Sequence, residues 1–232
     1  MFKWFRAHSH LKNGINYSEL LQYEEAIEEY TKAINLRPKY GVYYYFRGQC
    51  YESLQKYDKA IKDYSKSMEF GEDKENVAGY FADRANCYEK LQKYDKAIED
   101  YSKAIQLKSK YTGYYYWYRA GCYDALRQYN YAIEDCTKAI ESGDFSSDAA
   151  AVSAVYFLRA WCYEKINQYS KAIEDFNNAI QLGYINSEIY YNRGLCYEAL
   201  KQSTKAINDY TEALQLDPNY DLALMKINHL IN

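Results

Sequence analysis

Histidine is scarce in this chain and proline scarcer still, with three histidines and two prolines in 232 residues. His8, His10 and His229 all lie near the ends, so the body of the chain has no imidazole to act as general base for a nucleophile. No CxxC pair occurs, which removes the spacing used by zinc sites and thioredoxin-type redox sites. His8 and His10 form an H-x-H pair, but two ligands make a weak metal site, and a lightly packed terminus is the expectation there. Neither a metal nor a cofactor is expected. No apolar run approaches the ~20 residues that a membrane-spanning helix needs. The net charge is only −3, which gives no electrostatic reason to expect a nucleic-acid partner. The opening MFKWFRAHSH lacks an apolar core of secretory-signal length. The expected location is cytoplasmic and reducing, with a short mitochondrial presequence as the alternative, because no acid precedes Glu19.

Tyrosine is what the chain has in abundance: 31, against 8 phenylalanines and 3 tryptophans. A ring with one apolar end and one hydrogen-bonding end suits half-buried faces on a molecule with much surface and little deep core. The six cysteines, Cys50, Cys87, Cys122, Cys136, Cys162 and Cys196, are separated by 37, 35, 14, 26 and 34 residues. Such wide, near-periodic spacing points to a repeated structural position and to reduced thiols.

The periodicity runs through everything else. Ala26, Ala60, Ala97, Ala132, Ala172 and Ala206 stand 34, 37, 35, 40 and 34 residues apart. Tyr17, Tyr51, Tyr88, Tyr123, Tyr163 and Tyr197 precede them by nine residues. Tyr30, Tyr64, Tyr101, Cys136, Phe176 and Tyr210 follow them by four. Within a unit the apolar positions recur at three- and four-residue steps in two runs, joined by a polar stretch such as Gln55-Lys56-Tyr57-Asp58, in which Asp58 is expected to cap the second helix. One helix hairpin of this size cannot bury its own apolar face; stacked neighbours must do so, which gives an all-α solenoid of antiparallel helix pairs. Small residues at Gly14, Gly48, Ala85, Ala120, Ala160 and Gly194 let the paired helices approach closely.

This frame resembles the tetratricopeptide repeat. It covers residues 7–40, 41–74, 78–111, 113–146, 153–186 and 187–220, with a lead segment at 1–6 and a closing helix at 221–232. The resemblance implies a right-handed superhelix, no catalysis, and a protein or peptide partner held along the first helices of the repeats. It departs from the family pattern in keeping the closing proline only at Pro38 and Pro218 and in carrying extra residues at 75–77, 112 and 147–152.

Two residue sets follow. Arg47, Arg84, Arg119, Arg159 and Arg193 each precede an aspartate by sixteen positions: Asp63, Asp100, Asp135, Asp175 and Asp209. A ladder of charge-assisted hydrogen bonds between paired helices is expected, broken in repeat one, where Asn13 and Glu29 stand instead. The cysteine three residues after each of these arginines reads as a small buried residue, since five copies along a rod do not make a catalytic thiolate. The implied binding face carries Tyr45, Gln49, Glu52, Asn86, Glu89, Tyr114, Trp117, Asp124, Phe157, Trp161, Glu164, Tyr191 and Glu198. Aromatics beside carboxylates suit an apolar segment bearing Lys or Arg. The alternative is a permanent accessory subunit of a larger assembly, with self-association through the apolar segment DLALMKINHLIN. The basic clamp that would hold an acidic Hsp70 or Hsp90 tail has no counterpart, and an acidic face disfavours RNA.

Overall fold

Three- and four-residue apolar spacing makes helices, and in the computed structural model every regular element is one. It describes residues 2–71, 76–145 and 148–231, which hold thirteen helices and no strand. The chain forms two compact units, one reaching to Lys110 and one starting at Tyr111. The first contains α1 (Phe2–Glu19) with α2 (Tyr23–Leu36), α3 (Gly41–Ser53) with α4 (Tyr57–Phe70), and α5 (Val77–Lys90) with α6 (Tyr94–Gln106). The second contains α7 (Thr112–Ala125) with α8 (Tyr129–Glu141), α9 (Ala149–Lys165) with α10 (Tyr169–Gln181), and α11 (Ser187–Ala199) with α12 (Ser203–Leu216), closed by α13 (Asp221–Ile231). In each unit the second helix of a pair also packs on the first helix of the next pair.

The close approach within a pair has a visible cause. The Tyr30 ring lies over Gly14, so a Cβ there would sit 2.5 Å from Cε1, and Tyr210 lies over Gly194 in the same way at 2.6 Å. The alanines of the second helices, from Ala26 to Ala206, are completely buried.

The turns inside the pairs are built alike. Leu21, Gln55, Gln92, Arg127, Asn167 and Lys201 all adopt φ between 57° and 60°. In the second repeat the Gln55 N–H bonds the Glu52 carbonyl and the Lys56 N–H bonds the Tyr51 carbonyl, both at 2.8 Å. These are the two bonds of a Schellman ending, which satisfies carbonyls the helix leaves open. The expected cap by Asp58 is not made. Helix α4 starts at Tyr57 after Lys56, without a side-chain cap bond; Asp58 lies inside the first turn and faces Lys93 at 3.5 Å.

The first residues are helical, since α1 begins at Phe2; residues 2–6 are exposed on it, and Ala7 is its first buried residue. The extra residues 149–152 lengthen α9 to seventeen residues, and Asp148 caps it by accepting the Ala151 N–H at 2.9 Å. Residues 72–75 and 146–147, where repeat ends and part of the inserted residues fall, lie outside the described residues, as do Met1 and Asn232.

Candidate partner-binding face

The arginines come first because they fix the helices that carry the face. Arg47 donates from Nε to Asp63 Oδ2 at 2.7 Å and from Nη2 to Oδ1 at 2.9 Å. Arg84–Asp100, Arg119–Asp135, Arg159–Asp175 and Arg193–Asp209 repeat the two-pronged bond within 2.6–2.9 Å. The aspartates are almost wholly buried, which lets a planar fork hold a carboxylate with little competition from water. A third arginine nitrogen reaches back to the preceding pair: Arg47 to Thr31, Arg84 to Ser65, Arg159 to Thr137 and Arg193 to Asn177. Each of these four arginines therefore joins three helices. In repeat one Glu29 replaces the aspartate and takes His10 at 2.8 Å, Lys32 at 2.6 Å and Asn13 at 3.3 Å. Burial pushes the Glu29 carboxyl up, but the bonds from His10, Lys32 and Asn13 outweigh it and hold it at about 2.

All six cysteines are buried and none is in a disulfide. Burial pushes Cys50 up to about 11 and Cys196 to about 12, and raises Cys87, Cys136 and Cys162 further, so none of these five is a ready thiolate.

The acids of the first helices are built into the packing. Glu52 accepts the Tyr64 hydroxyl from its own pair and the Asn86 amide from the next at 2.6 Å. Glu89 takes Tyr101, and Glu198 takes Tyr210. In repeats two, three and six the tyrosine four residues after the repeat alanine thus has an acidic partner across the pair, twelve residues earlier. Where Cys136 or Phe176 takes the place of that tyrosine, other donors serve the acid. Asp124 accepts from the Trp161 indole and weakly from Cys162, and Glu164 pairs with Lys165 at 3.3 Å.

One further acid has no counterpart in the other repeats. Asp83 on α5 stands where they carry Lys12, Phe46, Tyr118, Leu158 and Asn192. Tyr45 donates to it, while Gln49 donates to the Tyr45 hydroxyl at 2.8 Å. Burial first, then the nearby Glu52 charge, push the Asp83 carboxyl up to about 6, against the opposing pull of Tyr45. The one acid at a position where no other repeat carries an acid was the available signal.

The aromatic residues of the face are half-buried and braced from behind. Phe145, from the segment after α8, packs edge-on to Tyr114 at 4.6 Å and to Trp117 at 6.4 Å. Tyr184 stacks on Phe157 at 4.9 Å, and Tyr220 leans on Tyr191 at 5.2 Å. In these three pairs a ring following the second helix returns to the first. Trp161 has the Lys165 ammonium 3.6 Å from its ring centroid.

Comparison with family models matches the tetratricopeptide repeat at residues 8–40, 42–72, 80–111, 153–183 and 187–220. A comparison with curated proteins found no match. Among solved structures the chain resembles YrrB, described as a tetratricopeptide protein with an unusual peptide-binding site, at 20% identity and a TM-score of 0.71 over 84% of this chain and 96% of that one. It resembles PilF of Pseudomonas aeruginosa at 13% identity and a TM-score of 0.73, over 99% of this chain and 98% of the other. The Cut9–Hcn1 hetero-tetramer of the APC/C matches at 18% identity and a TM-score of 0.68, over 98% of this chain and 43% of that one.

Proposed function

The chain belongs to the tetratricopeptide-repeat family, and from that premise we propose that it is a non-catalytic scaffold whose first helices hold an apolar protein segment carrying Lys or Arg. The chain is taken as six repeats with the boundaries given above, followed by α13 as a cap.

The observation that carries the basic character lies in the first unit. Glu52 and Asp83 sit close enough for one charge to raise the other's pKa, among Tyr45, Gln49 and Asn86. Among the described residues no Lys, Arg or His of this chain forms an ion pair with either, whereas in the second unit Glu198 has Lys226 and Glu164 has Lys165. A ligand cation would relieve the repulsion in the first unit. Trp117, Phe157, Trp161 and Tyr191 supply aromatic area for apolar ligand side chains in the second.

The test uses the intact chain against a peptide array. Glu52→Gln with Asp83→Asn should weaken capture of basic peptides about tenfold or more, and Trp117→Ala with Trp161→Ala should weaken apolar ones. Folded variants that keep the wild-type profile would sink the reading. Retention of single-stranded RNA on filters would favour the nucleic-acid alternative.

A second reading, a permanent subunit that also self-associates, is favoured by α13. Its Leu222, Leu224, Met225 and Ile231 are exposed while Ala223, Ile227 and Leu230 pack inward. Sedimentation showing a mass that rises with concentration supports it; a monomer at high concentration removes the self-association. Six buried cysteines with no disulfide among them support residence in a reducing compartment.

A further inference from the structure

Helix α1 is eighteen residues long, against thirteen in α3 and in α11. In the repeat frame Ala7 holds the place of Gly41, the first residue of α3, so residues 2–6 run ahead of the frame by more than a turn. The repeat packing does not require them. Phe2, Lys3, Trp4, Phe5 and Arg6 are all exposed, the three rings at 87%, 47% and 61%. Their ring contacts are local, Trp4 meeting Phe5 and His8.

Helical geometry sorts these side chains. Ala7 and Gly14 face inward, Ala7 into the cluster of Ala33, Ile34 and Tyr43, and Gly14 under Tyr30. At about 100° per residue, Phe2, Phe5 and Ser9 fall on the opposite side, with Arg6 along one flank and Lys12 along the other. Lys3, Arg6 and Lys12 are the cations up to Ser18, and no acid accompanies them. The whole chain carries −3, so these three leave −6 on the remainder. A locally cationic helix with an aromatic outer face on an acidic protein matches the two things an anionic bilayer offers: headgroup phosphates and an interfacial layer that accepts rings.

We propose that α1 docks on an anionic lipid surface, with Phe2 and Phe5 entering the headgroup layer and Arg6 and Lys12 reaching from either side to the phosphates. A soluble polyanion would satisfy the cations and leave both rings in water, which is why the bilayer is the favoured occupant. The surface shares no residue with the ligand-binding face, so either can fail without the other.

The full chain is co-sedimented with vesicles of phosphatidylcholine alone and of phosphatidylcholine with phosphatidylserine. Binding to the anionic vesicles alone, fading as salt rises, is the expected result. Arg6→Gln with Lys12→Gln should weaken it about twenty-five-fold, roughly fivefold per charge. Phe2→Ser with Phe5→Ser should weaken it to a similar degree at unchanged charge, and circular dichroism should show the same helicity in both variants. Absence of binding to phosphatidylserine vesicles overturns the proposal. So does equal binding by the phenylalanine variant, or retention on poly-glutamate or duplex DNA without vesicle binding; those outcomes assign the surface to a soluble polyanion.

Discussion

At the scale of single residues the molecule is a set of buried charges, and their signs can be read against pH. Breaking a buried pair from one side leaves an uncompensated charge, which typically costs ~3–5 kcal/mol. The ladder guanidiniums keep about a sixth of their surface in water, so Asp175→Ala is expected to cost somewhat less, roughly 2–3 kcal/mol in a urea melt. Arg159→Met with Asp175→Leu should recover most of that loss, because the desolvation of both charges disappears with the pair. A double variant as unstable as the single one would show that the ladder's worth lies in something other than charge. Asp83 works in the opposite sense from most carboxylates. Its folded pKa, about 6, lies above the ordinary 3.8, so the folded state holds the proton more tightly and stability falls as pH rises between those values. Asp83→Asn should therefore raise stability by roughly 1–2 kcal/mol at neutral pH and change little near pH 3.5. Glu29, held at about 2, contributes in the usual direction, its share being lost as pH falls from 4.5 toward 2. Melts of Asp83→Asn and wild type across pH separate the two groups, and a constant gap at every pH would refute the Asp83 assignment.

At the scale of elements the turn between paired helices is the most informative feature, because the chain uses six different positions of one kind and never a glycine. Leu21, Gln55, Gln92, Arg127, Asn167 and Lys201 all take the left-handed conformation that strains a side-chain-bearing residue, least of all asparagine. Arg127→Gly and Gln55→Gly should each stabilise by about 0.5–1 kcal/mol, and Asn167→Gly by less, as read from the denaturation midpoint. A loss of stability at both Arg127 and Gln55 would mean that their side chains do more than tolerate the turn. The same turn marks how far the sequence could be read. Repeat spacing, helix pairing and the arginine–aspartate register were legible because each recurs at fixed offsets and the chemistry of a fork and a carboxylate is unambiguous. The turn geometry was not, because its usual sign is glycine, and Asp58 looked like a cap while lying one residue inside the helix. The acids from Glu52 to Glu198 read as one acidic line along the binding face. Their tyrosine donors lie twelve residues later on another helix, a pairing that becomes visible only when Tyr64, Tyr101 and Tyr210 are seen beside them. His10 was legible as a potential ligand but not as the partner of Glu29, because that bond fills a gap left by a missing arginine.

At the scale of the whole chain, each helix pair stabilises the next by offering a surface, and a terminal pair must be covered by something else. Helix α13 covers α12 in the second unit: Ala223, Ile227 and Leu230 close over Ala206, Tyr210 and Ala213, and Lys226 reaches Glu198 at 3.0 Å. Ile227 stands where the repeats carry their arginine, so α13 offers the packing of a first helix without its ladder bond. Such a cap should stabilise locally. Ending the chain after Tyr220 removes the cover from Tyr210 and Ala213 and leaves Glu198 without its ammonium. Hydrogen exchange is then expected to quicken most in α11 and α12, on the order of tenfold to a hundredfold, less in α9 and α10, and least in α7 and α8, because coupling in a repeat array passes from neighbour to neighbour. A uniform loss of protection across α7 to α12 would contradict this, for it would mean that the second unit unfolds as one cooperative body. Restoring only the charge interaction cannot repair the truncated chain if apolar cover is the cause. Lys226→Met in the intact chain, which keeps the cover and removes the ion pair, should accordingly cost about 1 kcal/mol and leave the exchange gradient nearly flat.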